Sequence, residues 1–230
     1  MAETEGRYAV GRFRHEALGD VDSTNTTAME RGRSGDPGNL WITAERQLGG
    51  RGRRGRVWVS EAGNLYASLL LINPAPAAAL GSLPLAVALG LFRAISAELP
   101  WGADRIAIKW PNDILIDGAK VSGILVESEN LQDGRQAVVI GCGVNIVHRP
   151  DNPLYPSITL REAGASASAE SLFAHLMQEL AAVLCLWDEG RGVAKVVEQW
   201  KRHVKGLGQS VTVNLQDRSI SGVFSAIDDD

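Results

Sequence analysis

Two short turns between apolar segments are the feature of this sequence that most constrains its fold. Asp117-Gly118 separates residues 114–116 from residues 121–127, and Asp-Gly between apolar runs is one of the strongest hairpin signals. Gln132-Asp133-Gly134 separates a second pair of predicted strands, of which residues 137–146 form the later one. Because a turn of a few residues joins antiparallel strands, the middle of the chain predicts antiparallel sheet.

Helical periodicity is confined to the flanks of this region. Apolar residues recur at steps of three and four over residues 80–99, and similar patterns predict helices over 168–189 and 193–203. Asp22-Ser23 supplies N-cap chemistry for a short helix over residues 24–33. Further strands are predicted over residues 8–15, 40–44, 57–59, 65–72 and 106–109, at Val211, Val213 and Leu215, and over 220–224. This order favours an α+β domain with a mixed, largely antiparallel sheet and packed helices over a doubly wound sheet.

Length and composition set further limits. The 230 residues suffice for one or two domains; we expect a main domain over residues 1–205 and, over 206–230, a small β-barrel that stops before it closes. No run of about 18 uninterrupted apolar residues predicts a membrane span, and no signal peptide pattern opens the chain, so we expect a cytoplasmic protein. Cys142 and Cys185 lie in apolar stretches and are expected to be buried thiols. The net charge of −4 argues against a surface built to bind nucleic acid.

A concentration of positive charge stands out in this acidic chain. Five arginines, interspersed with glycines and without an acidic residue, lie between Arg46 and Arg56. Glycines let backbone N–H groups turn inward around an anion, and arginines add bidentate contacts to carboxylate or phosphate. The alternative is a flexible basic loop that touches nucleic acid. Because the flanking chain is apolar and structured, we favour a loop that covers a pocket.

Two further segments carry candidate site residues. Lys120 follows the Asp117-Gly118 turn; it is either an edge charge that reaches solvent or a cation between two anionic groups. Asn112 and Asp113 follow Pro111, where they would either hold Mg²⁺ or a nucleotide or cap a turn. Residues 22–25 offer hydroxyls and an amide to a neutral polar ligand, as well as the helix cap.

A glycine-rich strand end completes the set of candidate segments. Gly141-Cys142-Gly143 is weak evidence for a dinucleotide site, since the third glycine and the following helix of that fingerprint are missing. Close packing of the strand against a ligand explains the glycines better.

Together these segments resemble the biotin–protein ligase family. The resemblance covers residues 21–146, with weaker similarity to the end, and is carried by the order and spacing of six motifs. These are residues 22–25, Ala44-Glu45 with Gln47, and residues 50–56, 109–113, 120–127 and 141–146. It implies a catalytic domain of the class II aminoacyl-tRNA synthetase/biotin ligase type over residues 1–205, and the start of an SH3-like barrel over 206–230.

The resemblance also implies an activity and its residues. ATP, with Mg²⁺, would activate biotin to biotinyl-5'-AMP, and the biotin would pass to a specific lysine of a biotin carboxyl carrier protein. The implied catalytic residues are Lys120 and Arg53. Implied biotin-binding residues are Ser23, Thr24, Asn25, Gln47, Gly50, Arg51, Gly52, Arg53, Lys120 and Gly123. Implied ATP or adenylate residues are Arg54, Arg56, Trp58, Asn112, Asp113 and Asn145, with Asp113 a candidate ligand of Mg²⁺. No tightly bound prosthetic group is expected.

Alternatives remain open at the level of the sequence. A lipoate–protein ligase would use the same general fold, and a sensor would bind biotinyl-AMP without turnover. Only about 20 residues precede Asp22, so the N-terminal DNA-binding domain that some family members carry is not expected. The carrier is the expected protein partner, and the sequence leaves open whether the protein forms a homodimer.

Overall fold

The computed structural model describes residues 6–99, 101–151, 153, 155–214 and 217–227. Its strands are β1 (Arg14–Val21), β2 (Leu40–Gln47), β3 (Leu65–Ile72), β4 (Ile106–Lys109), β5 (Asp113–Ile116), β6 (Ala119–Asn130), β7 (Gln136–Val144), β8 (Ser210–Asn214) and β9 (Ser219–Val223). Its α-helices are α1 (Thr24–Arg33), α2 (Leu83–Glu98), α3 (Ala169–Trp187) and α4 (Val193–Lys201).

A seven-stranded mixed sheet organises the chain, with strand order β1-β2-β3-β7-β6-β5-β4. Strands β1 and β2 are parallel and are joined through α1, whereas every other neighbouring pair in this sheet is antiparallel. Both predicted hairpins form. The turn between β5 and β6 has positive φ at Asp117 and Gly118, 50° and 81°, which Asp-Gly tolerates at low cost. The expected α+β class is confirmed.

The sheet is covered on both faces. One apolar cluster joins α2, α3 and α4 to one face, and a smaller cluster joins α1 to the other. Strand β3 is buried along all eight residues, because its odd and even positions face different helical layers. This explains why its sequence, Leu-Tyr-Ala-Ser-Leu-Leu-Leu-Ile, is almost continuously apolar.

Three predicted elements differ from the structure. Residues 8–15 are not one strand, because Val10–Arg12 form a short 3-10 turn and β1 begins only at Arg14. Residues 57–59 form no strand of the sheet; Val57 is 83% exposed and makes a single bridge to Arg51. Helix α2 begins at Leu83, after a 3-10 segment at Ala77–Ser82, since Pro84 is favoured in a first turn.

The end of the described chain is a two-stranded hairpin. Strands β8 and β9 pair antiparallel, and Leu215, which was predicted to extend β8, lies outside the described residues. Val204 bridges Ile108 in parallel at the β4 edge, and Phe224 lies 6.5 Å from Trp200 between ring centroids. The division into domains at residue 205 stays a prediction.

Two helical segments, Ala77–Glu98 and Ala169–Gly190, are long and apolar enough by length and composition to cross a membrane. Neither segment is an uninterrupted apolar run of about 18 residues, the signal that is missing from the sequence, yet both meet the criterion of length and mean hydropathy. Their apolar faces pack on the sheet, with 56% and 39% of the respective windows buried, as in core helices.

The two cysteines differ. Cys142 is buried as expected, but Cys185 is exposed. On α3 the neighbouring Leu184 and Trp187 face the core, and Cys185 therefore points to another side of the helix.

Candidate active site

A cleft between α1, the arginine-rich loop and the centre of the sheet gathers most of the predicted site residues. The space between its walls is about 470 Å³, which includes open solvent at the mouth. The predicted residues that line it are Ser23, Thr24, Asn25, Gln47, Arg51, Gly52, Arg53, Trp58, Asn112, Lys120 and Gly123. Residues that were not assigned to the site but also line it are Tyr66, Ile124, Leu125, Gly141, Cys142 and Gly143.

The floor of the cleft is bare strand backbone. Gly123 of β6 pairs with Gly143 of β7, and the ring of Trp58 lies directly over both. A Cβ at Gly143 would come within 2.7 Å of this ring, and one at Gly123 within 3.2 Å. Close approach of the ring, rather than backbone strain, therefore requires glycine at position 143 and favours it at position 123, where the neighbouring side chains would have to shift slightly.

One end of the cleft is a buried network of neutral polar groups. The backbone N–H of Thr24 and its hydroxyl donate to Gln47 Oε1 at 2.9 and 3.1 Å. Gln47 Nε2 donates to Ser60 Oγ at 3.0 Å, and Ser68 Oγ lies 2.7 Å from Thr24 Oγ1. Ser68 is fully buried and was missed, although a serine in a largely apolar strand was a signal for it.

Ser23 occupies the N-cap position of α1 as predicted, yet its side chain makes no capping hydrogen bond to any described residue. The N–H of Thr24 is satisfied by Gln47 instead. The Ser23 hydroxyl is thus buried at the cleft without being used by the helix. A buried hydroxyl in this position is suited to a polar ligand, because leaving it unpaired costs free energy.

The arginine-rich loop is a narrow hairpin that leans over the cleft. Trp58 N donates to Gly50 O at 2.9 Å and Gly52 N to Arg56 O at 2.7 Å. A Cβ at Gly50 would lie 2.5 Å from Ser60 Oγ, so this position needs glycine. Arg53 reaches across to Asn112, donating from Nη1 to Oδ1 at 3.0 Å. The loop therefore brings guanidinium groups to the cleft mouth.

Lys120 projects from the start of β6 into the same cleft. Its Nζ lies 2.7 Å from Asp113 Oδ1 and 5.3 Å from the centroid of the Trp58 ring. The alternative of a simple edge charge does not describe this lysine, whose side chain is 29% exposed and faces the pocket. Asn112 is fixed by a bond from its Nδ2 to Ile124 O at 3.0 Å.

Comparison with known proteins assigns the chain to a family. A model of the Biotin/lipoate A/B protein ligase family matches residues 18–145, more than half of the chain. This chain belongs to that family. Biotin--[acetyl-CoA-carboxylase] ligase of Paracoccus denitrificans is 36% identical over 221 residues, which cover 92% of this chain and 90% of that protein.

Two further comparisons extend this result. Bifunctional ligase/repressor BirA of Escherichia coli strain K12 is 36% identical over 215 residues, which cover 90% of this chain but 64% of that protein. The chain thus spans a little under two thirds of BirA. The solved structure of biotin protein ligase from Aquifex aeolicus in complex with biotin and ATP has a TM-score of 0.77 at 26% identity, covering 94% of this chain and 88% of that chain.

Other predicted residues of this family member are not part of the cleft lining. Arg56 lies 5.9 Å from the ring centroid of Tyr155, which Lys109 also approaches at 5.2 Å. Arg54 has a left-handed backbone, with φ of 60°, at the tip of the hairpin. Asn145 is buried, its N donates to Val121 O at 2.8 Å, and its O accepts from Leu160 N. Their assignment to ATP stays a prediction.

Two ionisable groups of the lining are held neutral. Burial raises the pKa of the Cys142 thiol to about 12 and that of the Tyr66 hydroxyl to about 12. Neither group is ionised near neutral pH, and Cys142 is thus a poor nucleophile. Among the described residues no cluster of three or more His, Cys, Asp or Glu is positioned to hold a metal ion, and Asp113 is engaged by Lys120.

Proposed function

We propose that this chain is an ATP-dependent biotin–protein ligase that forms biotinyl-5'-AMP and transfers biotin to a lysine of a biotin carboxyl carrier protein. One observation carries the proposal. A single cleft joins a buried end of neutral hydrogen-bonding groups, around Thr24 and Gln47, to a mouth lined by Arg51, Arg53 and Lys120. Biotin and ATP have matching chemistry, because the ureido ring is neutral and polar whereas the reacting carboxylate and phosphates are anionic.

Recognition of the ureido ring would fall to the neutral end. Thr24 and Gln47 are hydrogen-bonded to each other. The Ser23 hydroxyl adds a further hydrogen-bonding group, which does not cap the helix. A ligand without the ureido groups would leave these buried atoms unpaired, and a site built in this way discriminates strongly against such analogues. This favours biotin over lipoic acid.

Charge neutralisation would dominate the first step. The carboxylate oxygen of biotin attacks the α-phosphorus of ATP, and pyrophosphate leaves. Two anions must approach, which needs a cation between them in a site of low dielectric. Lys120 and Arg53 are the candidates, because Lys120 is held at the floor beside Trp58 and Arg53 leans in from the hairpin.

The second step needs positioning rather than an enzyme nucleophile. The amine of the carrier lysine attacks the acyl carbon of biotinyl-AMP, forming the amide, and AMP leaves. The neutral thiol of Cys142 supports direct transfer. Closure of the arginine-rich hairpin would exclude water from the mixed anhydride.

Mg²⁺ would enter with ATP as part of that substrate. Mg²⁺ is typically held by substrate phosphates, waters and one or two carboxylates. Asp113 is the carboxylate in contact with Lys120, and it would have to give up that contact to bind the ion. Asn112, Arg54, Arg56 and Asn145 are proposed to contact the nucleotide.

ATP–pyrophosphate exchange with and without biotin tests the activity. Exchange that depends on biotin, and is absent with lipoic acid at equal concentration, is the expected result. Exchange with lipoic acid instead would indicate a lipoate ligase, and binding of biotinyl-AMP without exchange would indicate a sensor. Labelling of a purified biotin carboxyl carrier protein, checked against its lysine-to-arginine variant, tests the proposed acceptor.

The remaining expectations concern the setting of the enzyme. We propose a cytoplasmic location, since the substrate ATP and the carrier protein are met there. A homodimer is a further hypothesis, which sedimentation in the presence and absence of biotin with ATP would test.

A further inference from the structure

We infer that Glu127 of β6 is a positioning residue that fixes both walls of the biotin cleft, an inference that rests on the proposed function. Glu127 Oε2 accepts a hydrogen bond from Asn25 Nδ2 at 2.8 Å. The same oxygen lies 3.6 Å from Arg51 Nη2. Asn25 belongs to α1 and Arg51 to the base of the arginine-rich hairpin, so one carboxylate oxygen joins two elements that lie far apart in sequence.

The contact of Glu127 with Asn25 sets the direction of the hydrogen bonds at the neutral end of the cleft. Glu127 Oε2 and Leu125 O can only accept, so the atom of Asn25 that faces them, at 2.8 and 3.3 Å, must be Nδ2. Asn25 Oδ1 therefore faces Ser68 Oγ at 2.6 Å and accepts its hydrogen. With Glu127 in place, the amide of Asn25 has one orientation.

The orientation of the Asn25 amide also determines how the Thr24 hydroxyl is hydrogen-bonded. Once the hydrogen of Ser68 is given to Asn25, the Thr24 hydroxyl donates to Gln47 Oε1 at 3.1 Å or to Ser68 Oγ at 2.7 Å. In both arrangements the Thr24 hydroxyl donates its hydrogen to another group of the protein. Its oxygen can then only accept a hydrogen bond from a ligand in the cleft. A lone pair selects a ligand that presents an N–H group, as a ureido ring does.

The contact of Glu127 with Arg51 restrains the arginine-rich hairpin. Arg51 donates from Nη1 to Thr26 Oγ1 at 3.1 Å while its Nη2 faces Glu127. Arg51 also forms the bridge to Val57 at the base of the hairpin. Glu127 therefore limits how far this base can move from α1, and loss of the carboxylate should loosen the wall that closes over the ligand.

Glu129 offers a matched control on the same strand and the same face. Its side chain is 37% exposed, as is that of Glu127. It too pairs with an arginine of the chain, accepting from Arg33 Nε at 2.9 Å. Arg33 is the last residue of α1, however, and neither Glu129 nor Arg33 lines the cleft. Replacing either glutamate by alanine should therefore destabilise the strand to a similar extent, but only the change at Glu127 should alter the cleft.

The test compares the steady-state kinetics of Glu127→Ala and Glu129→Ala in biotin-dependent pyrophosphate exchange. We expect Glu127→Ala to raise KM for biotin about tenfold, the scale of one charged hydrogen bond. Its KM for ATP and its kcat at saturating biotin should stay within about twofold of the parent, because the reacting groups are untouched. Glu129→Ala should match the parent, and Glu127→Gln, which keeps an acceptor oxygen for Asn25, should fall between.

A second comparison tests whether the effect passes along the chain of hydrogen bonds. Ser68→Ala removes the link between Asn25 and Thr24 and should also raise KM for biotin. Because the two changes interrupt one chain, the double variant should resemble the worse single variant rather than multiply the two effects. Multiplied effects would overturn the chain from Glu127 to Thr24.

The outcomes separate this inference from the proposed function. A parent protein without biotin-dependent exchange would overturn the proposed function. An active parent whose Glu127→Ala and Glu129→Ala variants have equal KM for biotin would overturn the inference alone. A fall in kcat and in melting temperature without a change in KM, in both Glu127 variants, would identify a purely structural carboxylate.

Discussion

Lys120 illustrates how single side chains are held in this cleft. Its ammonium contacts the carboxylate of Asp113 at 2.7 Å and lies over the ring of Trp58. An aromatic face and a carboxylate together hold a cation in a defined position. The charge is therefore preorganised before any substrate arrives, which is what electrostatic stabilisation of a transition state requires.

Replacement of Lys120 by alanine should nearly abolish formation of the adenylate. A contact that strengthens in the transition state is worth about 2–4 kcal/mol, or a factor of about 10²–10³ in rate. Single-turnover formation of biotinyl-AMP measures the effect. Lys195→Ala, an exposed lysine of α4, serves as the control and should behave as the parent. Activity of Lys120→Ala within about threefold of the parent, at unchanged melting temperature, would exclude a catalytic role.

At the scale of elements, the cleft depends on the absence of side chains at three glycine positions of two neighbouring strands. Gly123 and Gly143 face each other across β6 and β7, and Gly141 lies where a Cβ would meet Asn25 Oδ1 at 2.3 Å. At these three positions the strands approach the Trp58 ring and α1 through backbone alone. Side chains on this face would separate the elements that form the cleft.

The variant Gly143→Ala should displace the Trp58 ring. A methyl group 2.7 Å from the ring cannot be accommodated without movement, and overpacking of this kind costs about 1–3 kcal/mol. We expect a lower melting temperature and a higher KM for biotin or ATP. Gly19→Ala in β1 is the control, since a Cβ there meets nothing within 4 Å. Equal behaviour of the two variants would show that the Trp58 position is unimportant.

The arginine-rich hairpin should become more ordered when ligand binds. Five like charges repel one another within the loop, although acidic residues outside it contact Arg46 and Arg51. A bound phosphate would convert the repulsion into attraction. Backbone hydrogen exchange over residues 46–56, with and without a non-hydrolysable biotinyl-AMP analogue, measures this. Strong and equal protection in both states would contradict a lid that closes on the ligand.

At the scale of the whole molecule, two apolar layers and a set of surface ion pairs stabilise the fold. The layers lie on opposite faces of one sheet. Arginine partners hold the pKa values of Asp20, Asp117, Glu129 and Glu162 below their usual range, chiefly through hydrogen bonds to these carboxylates. Their contribution to stability is present above the pKa of the unfolded chain and is lost as the pH falls through the folded value.

Stability should therefore decline as the pH falls below about 4, the ordinary pKa range of carboxyl groups. Urea unfolding between pH 3 and pH 6 measures the decline. High salt should make this decline in stability smaller, because salt screens exposed ion pairs. Asp117→Asn removes one of these charges and keeps a residue suited to the turn, so this variant should depend less steeply on pH. An identical slope would mean that the Arg105 pair does not contribute.

The sequence predicted those parts of the fold that local signals determine. Both hairpins, the start of α1 at Thr24 and the apolar β3 follow from turn residues, cap residues and periodicity. Tyr66, which lines the cleft, and Ser68, which belongs to the buried network at its end, were missed, because their positions follow from the register of β3 on β7, in which they face Gly143 and Gly141. The same holds for Glu127, whose partner Asn25 is distant in sequence and meets it only through the packing of α1.

The glycine floor also decides how this cleft can be redesigned. Where the wall of a pocket is a side chain, a smaller residue makes room for a larger ligand. Where it is already backbone, as at Gly123, Gly141 and Gly143, no substitution can deepen it further. Engineering toward bulkier analogues of biotin therefore has to begin with side chains of the lining, such as Trp58 or Tyr66, and substitutions at the three glycines can only make the accepted ligands smaller.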